Sequence, residues 1–458
     1  MILNRTFNPP TIRTDFMNIL ATKLHKFSYA LLLACTVSCA SREASIEQDA
    51  FAIPQLKARV SALSPVEFAT YQKKYEELTR TIIQKPSEPA AYIEMAQLFM
   101  NEARISGDHP HYYPAARKLL DRALALDPDN FNALISLGSI QLSLHQFEEA
   151  SATGRKAASI APHSNFPWGI ICDASIELGD HKTAVMAADT MVAIRPDLRS
   201  YARVSYVREV HGDINGAIEA MKMAVGAGVP GREEKAWARN TLGNMYLNRG
   251  DLKRAEMELL IALQERPNYA FALGSLARVR VAEKNYSEAI KLLDSASALV
   301  PEFSFAQLKA DILNIQGQSQ AEGVIIKDIE EGLAEDEASG HAMDREFAML
   351  YATRGIKQAK AEEYARKEFA KRPKNHDAKA TLAIACLRSG KLDEARNLIN
   401  SVVSEHPTHG EYLAYAGLIA HASGDPALAK QQMARAIELA PFLTPLLLHE
   451  VNSKLAAL

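Results

Sequence analysis

Prolines at 128, 162 and 196, at 267 and 301, and at 373, 407 and 441 form three runs with an internal step of 34 residues. The gaps between runs are slightly wider than two steps. A fixed period of this length means one small unit copied and stacked, which excludes most single-copy globular topologies. The residues between the prolines keep the same register. A small residue recurs midway along the first half of each unit, at Gly138, Cys172, Gly243, Ala277, Ala383 and Gly417. Alanine follows twelve residues later, at Ala150, Ala184, Ala255, Ala289, Ala395 and Ala429. Seven residues further on comes another small or apolar side chain: Ala157, Met191, Ala262, Ala296, Val402 or Ala436. Turns such as "RGDL" (249–252) and "SGKL" (389–392) separate the halves, with glycine able to end a helix.

Each unit therefore reads as two antiparallel helices. Gly243 inside the first helix of its unit costs about 1 kcal/mol relative to alanine, so its recurrence at one register calls for a packing reason. Side-chain size sets how closely two helix axes approach, within about 8–10 Å. Gly243 is expected to face Ala255 or Ala262 across such a pair, and each proline to open the next unit.

Leu242, Gly243, Tyr246, Ala255, Ala262 and Pro267, and again Trp168, Ala184 and Pro196, carry a resemblance to the tetratricopeptide repeat family. It covers residues 86–441, about ten repeats, with Cys172 at a position usually held by Gly or Ala. The repeat after Pro196 slips by one residue and carries its alanine pair at Ala217 and Ala224. The repeat at 304–338 keeps Gly317 but loses the alanine pattern, and "ISGDHPHYY" (105–113) stretches the first repeat as an inserted loop. The resemblance implies an all-α fold, a right-handed superhelical α-solenoid of helix-turn-helix repeats. Stacked repeats need covered ends. Residues 63–85 are expected to form an N-terminal capping helix, 442–458 a C-terminal one, and 39–62 a tether.

The N-terminus differs from the rest. "MNILATKLHKFSYALLLACTVSCAS", from Met17, has a basic start at Lys23 and Lys26 and an apolar run too short to span a bilayer comfortably. It resembles a bacterial lipoprotein signal covering residues 1–38, with 1–16 upstream of the true start. "TVSC" puts lipidation at Cys39, and "LLAC" offers Cys35 as the alternative. The expected location is the cell envelope, anchored on the periplasmic side of the outer membrane. The formal net charge is −3 and becomes more negative once the signal is removed, so a nucleic-acid partner has no basic footprint. Cys172 and Cys386 lie too far apart along an array for a structural disulfide and read as buried, inert thiols.

No phosphate loop, zinc-type cysteine pair, nucleophile elbow or HExxH motif occurs, so no catalytic residue, cofactor or metal site is assigned. The acid pairs Glu148–Glu149 and Glu330–Glu331 read as solvated helix faces. The family resemblance implies that the first helix of each repeat lines a concave groove. Carried over residue by residue, it directs Phe166, Trp237, Phe271 and Phe305 into that groove, with Asn240, Asn244 and Asn248 as one i, i+4, i+8 stripe. Arg203 and Arg278 join from neighbouring repeats. Such a surface suits an extended peptide, the amides bonding its backbone and Arg278 taking a carboxylate. In the clamp that some family members use for C-terminal carboxylates, Asn240 stands where a lysine belongs and Ser275 where a second asparagine belongs, which argues against clamp-type chaperone binding. The expected function is a non-enzymatic protein- or peptide-binding scaffold or assembly factor of the envelope. Two alternatives stand beside it: a metal-dependent enzyme subunit using His109 and His111 of the 105–113 loop, and a cytoplasmic adaptor if the N-terminus is not a signal.

Overall fold

The computed structural model describes residues 51–59 and 65–458, so the expected signal segment with Cys35 and Cys39 lies outside the described residues. The chain divides into Met1–Gln55 and Leu56–Leu458. Among the described residues there are 22 α-helices and no strand, all of the helices in the second unit. Helix α1 (Pro65–Gln84) precedes ten antiparallel pairs. The first five are α2–α3 (Pro89–Ser106, His109–Leu126), α4–α5 (Phe131–Ser143, Phe147–Ile160), α6–α7 (Asn165–Glu177, His181–Ile194), α8–α9 (Leu198–Val210, Ile214–Ala227) and α10–α11 (Glu233–Asn248, Leu252–Glu265). The others are α12–α13 (Ala270–Ala282, Tyr286–Leu299), α14–α15 (Phe303–Ile315, Ser319–Ala338), α16–α17 (Asp344–Arg354, Gln358–Lys371), α18–α19 (His376–Arg388, Leu392–Glu405) and α20–α21 (Gly410–Ala422, Pro426–Leu439). Helix α22 (Pro445–Ala456) closes the chain. Each pair packs on the next, which makes an α-solenoid.

Local chemistry accounts for the breaks. In the "RGDL" turn Gly250 takes a left-handed φ of 85° and ends α10, and the Asp251 side chain accepts from Arg254 N at 3.0 Å to start α11. The same side-chain cap recurs at Asp180, Asp213, Asn285 and Asp425. The prolines do not open the next helix as expected. Pro267 directly follows Arg266, the C-terminal cap of α11, and Pro128, Pro162, Pro196, Pro301, Pro373, Pro407 and Pro441 stand likewise. They stop the second helix, because no further N–H is there to continue it.

The small residues are buried as their register requires. Ala150, Ala184, Ala255, Ala289, Ala395 and Ala429 are all 0% exposed, which makes them the seam of each pair. A Cβ at Gly243 would lie 3.0 Å from Leu259 Cγ and 3.3 Å from the Ala255 carbonyl oxygen. The glycine thus lets α10 close onto α11, with Leu259 rather than Ala262 filling the space. Ala217 and Ala224 are buried as the slipped repeat demands. The irregular 304–338 repeat has a physical cause: α15 runs for 20 residues where most second helices run for 14, so its apolar contacts move to Ile326, Ile329 and Leu333. Residues 105–113 are not a loop. Asp108 caps α3 by accepting from His111 N at 3.3 Å, and Pro110 sits in its first turn.

Residues of the expected tether also take part. Arg59 donates to Glu102 on α2 and Glu67 on α1, and Lys57 Nζ lies 2.6 Å from Asp108. The solenoid of Leu56–Leu458 coils so tightly that its second turn rests on its first. Glu67 meets Arg266, Gln146 meets Gly340, His145 meets Ala342, and Glu177 meets Arg372 and Asn375, each pair 194–199 residues apart. One superhelical turn is thus a little under six repeats. At one such seat Gly179, φ 74°, lies so close that a Cβ would be 2.5 Å from the Lys374 carbonyl oxygen. Among the described residues no helix is long and apolar enough to cross a membrane.

Candidate functional site

Helices α10, α12 and α14 are the first helices of three consecutive repeats. Their inward faces and the segment from Ile437 to Asn452 enclose a cavity of about 840 Å³. Asn240, Asn244 and Leu247 come from α10; Phe271, Ser275, Arg278 and Val281 from α12; Phe305, Leu308 and Ile315 from α14. The opposite wall is Ile437, Phe442, Leu443 and Leu448 with His449 and Asn452. That wall exists because α22 packs on α14, α16 and α20, all first helices, as well as on α21. Leu447 and Val451 bury its apolar side, and Glu450 accepts two bonds from Arg388 at 2.8 and 2.6 Å.

Arg278 is the charged centre of the cavity. Its Nη1 donates to Asn244 Oδ1 at 2.6 Å and its Nη2 to Asn248 Oδ1 at 2.9 Å. Among the described residues no carboxylate stands within ion-pair distance of it. Burial pulls its pKa down and Glu411 opposes that only at longer range, so the guanidinium stays charged and under-compensated. Asn244 also donates to Ser275 Oγ at 2.8 Å, tying together the two positions that a carboxylate clamp would use.

Arg203 shows what full compensation looks like. It spans the same offsets of 34 and 30 residues, to Gly169 O and to Asp173, as Arg278 spans to Asn244 and Asn248. Its partner at the second offset is a carboxylate, gripped through two bonds of 2.9 and 2.6 Å. Arg203 is therefore an internal strut. Burial pulls its pKa down, but Asp173 more than offsets that and holds it above the ordinary value. The two arginines occupy like positions, and only one has charge to spare.

Of the nine groove residues read from the sequence, Asn240, Asn244, Phe271, Arg278 and Phe305 line this one cavity. Asn248 touches it only through Arg278. Phe305 is a wall rather than a free anchor: it is buried, its ring lies over Gly274, and it meets Phe271 edge-on at 5.9 Å. Phe166 stands apart beneath the Arg199 guanidinium, and Trp237 is 41% exposed outside the cavity. The sequence reading missed the α22 wall, whose residues lie about 130–210 positions from their neighbours across the cavity. Its one signal was "TPLLLHEVNSKLAAL", too apolar for a helix with one solvent face.

The other chemical candidates resolve simply. His109 stacks on Tyr113 at 5.0 Å, and Asp108 is occupied by Lys57 and by capping α3, so among the described residues this segment assembles no donor set with His111. Cys172 and Cys386 are free and buried, and burial pushes both thiols up to about 12. Glu148 and Glu149 are exposed, and Glu330 pairs with Lys357.

Comparison with known proteins bears on the repeats alone. Tetratricopeptide repeat family models match residues 112–165 and 359–419. Cellulose synthase operon protein C of Pseudomonas fluorescens (strain SBW25) is 27% identical over 187 residues, 38% of this chain and 14% of that protein. The chain thus spans a small fraction of this relative's length. Among solved structures, TTC0263, a tetratricopeptide protein of Thermus thermophilus, is 19% identical with a TM-score of 0.37 over 44% of this chain and 100% of its own. The human IFIT1 dimer with PPP-AAAA is 15% identical with a TM-score of 0.44 over 82% of this chain and 86% of its own. Ten stacked helix pairs, a buried small-residue seam and two matching repeat models identify the chain as a member of the tetratricopeptide repeat family.

Proposed function

We propose that this protein is a non-enzymatic scaffold of the bacterial cell envelope, which holds a polypeptide partner by a carboxylate at Arg278 and by apolar side chains in the surrounding cavity. Repeats of this family suit protein interaction, and the contrast between Arg278 and Arg203 is the observation that carries the reading. A guanidinium with only amide partners offers a carboxylate more than one already paired. Phe271, Leu308, Phe442 and Leu448 provide the apolar surroundings that anchor a peptide. The relative named for a cellulose synthase operon favours a role in assembling a polysaccharide-export apparatus, and the N-terminal cysteine pattern favours a lipid anchor at Cys39.

Crosslinking and pull-down from native membranes tests the cavity. Arg278→Ala is expected to lower partner recovery about tenfold, as loss of a charged hydrogen bond of about 1.5 kcal/mol implies. Trp237→Ala, outside the cavity, is expected to leave recovery unchanged. Undiminished yield with Arg278→Ala would refute the assignment. The anchor is tested separately by labelled palmitate: incorporation is expected in the wild type and lost in Cys39→Ser. Labelling that persists moves the anchor to Cys35, and an unlabelled wild type removes the lipoprotein reading.

A further inference from the structure

We propose that His181, His376 and His406 form a divalent transition-metal site that clips the second superhelical turn to the first. The first of these rings opens α7 in the first turn, the second opens α18 and the third caps the end of α19 in the second turn. Nothing in the local sequence joins them; the inter-turn register does. One ligand atom from each lies within 4.8 Å of the others. Tetrahedral zinc with bonds of about 2.0–2.1 Å needs donors about 3.4 Å apart, which modest ring rotation supplies.

Two observations converge on a ligand. Both ring nitrogens of His181 and Nε2 of His406 are buried with no hydrogen-bond partner. Orphaned polar atoms of that kind are costly unless something binds them. The rings crowd together, with centroids 4.0 Å apart for His376–His406 and 5.2 Å for His181–His376.

The surroundings complete the set. Glu405 Oε2 accepts from His376 Nε2 at 2.9 Å, which leaves Nδ1 as the nitrogen available to a metal. A carboxylate behind a ligating imidazole orients it and strengthens it as a donor. His211 flanks His181 at 5.4 Å and is itself oriented by the Val207 carbonyl, to which its Nδ1 donates at 2.7 Å. Three imidazoles select zinc, copper or nickel over magnesium or calcium. Water fills the fourth place. A metal there would replace ring-to-ring contact by bonds joining His181 to residues 195 and 225 positions further along the chain.

The test uses the full-length chain, stripped with EDTA and titrated with zinc chloride against a chromophoric chelator. One zinc per chain is expected, with a rise in Tm that EDTA reverses. His181→Gln and His406→Gln are expected to weaken binding tenfold or more and to abolish the Tm rise, and Glu405→Gln to weaken binding about tenfold to a hundredfold. His145→Gln, another inter-turn histidine, is expected to bind like the wild type. Should His181→Gln misfold by circular dichroism, His406→Gln decides, since its Nε2 has no hydrogen-bond partner to lose. A folded wild type that binds no zinc, or histidine variants that bind it as well as the wild type through thiols elsewhere, overturns the site.

Discussion

Replacing Arg372 by alanine is expected to cost about 3–5 kcal/mol, the range for breaking a buried ion pair from one side, and to loosen the second superhelical turn from the first. Arg372 is 8% exposed at the end of α17. Its Nε donates to Glu368 Oε1 at 2.6 Å, its Nη2 reaches the same carboxylate, and its Nη1 donates to Glu177 Oε2 at 2.5 Å across the turn boundary. The guanidinium also lies 4.8 Å over the Phe147 ring, and Asn375 beside it donates to the Glu177 carbonyl at 3.0 Å. Removing it leaves Glu368 at 4% exposure as a charge without a partner. Lysine would keep the charge but lose the fork and the stacking, so Arg372→Lys is expected to fall between wild type and alanine. The contrast is Arg366, whose pair with Glu394 is about 40% exposed on both sides; its alanine variant is expected to lose under about 1 kcal/mol. Urea unfolding measures the energies and small-angle scattering measures any expansion. An Arg372→Ala protein with unchanged midpoint and radius would show that the turns do not depend on this seat.

Glu102→Ala is the second large effect, expected also at about 3–5 kcal/mol, and it acts at the N-terminal end. Glu102 is 0% exposed and its partner Arg59 has a side chain 2% exposed. Arg59 Nε lies 2.8 Å from Glu102 Oε2, and its two terminal nitrogens reach Glu102 Oε1 at 2.5 Å and Glu67 Oε2 at 3.0 Å. The cation is covered by Phe68 and Tyr71, with its centre 5.5 and 5.1 Å from their rings. Without Glu102 that charge keeps, among the described residues, only Glu67, which Arg266 also claims at 3.3 Å. The double substitution Arg59→Met/Glu102→Leu removes both charges and is expected to recover most of the loss, because matched apolar side chains often equal a buried pair. Urea titration of the single and double variants measures the coupling. A single variant as weak as the double would mean that packing, not charge, holds this corner.

The repeat itself was legible because its packing is local. Gly243, Ala255 and their counterparts are dictated by a neighbour helix a dozen or so residues away, and a fixed step exposes that requirement in one sequence. Arg278 was legible for a similar reason, since its partners are 30 and 34 residues back. The same arithmetic pointed Arg203 into the groove without revealing that Asp173 already held it. Contacts between turns were not legible at all. Their offset depends on the small rotation between successive pairs, and side chains as far apart as Glu177 and Arg372 carry no mutual periodicity. The histidines at 181, 376 and 406 were hidden for that reason, whereas His109 and His111 drew attention merely by lying two residues apart.

The near-constant spacing between stacked turns also limits how such a chain can vary. Arrays governed by nearest neighbours usually tolerate a change in copy number, because each module answers only to the modules beside it. Here the duplication or loss of one module between Gly179 and Lys374 would shift every downstream seat by a whole module, placing Arg372 opposite a stranger instead of Glu177. The middle of the molecule is therefore counted as well as folded, and length changes are easiest near the extremities.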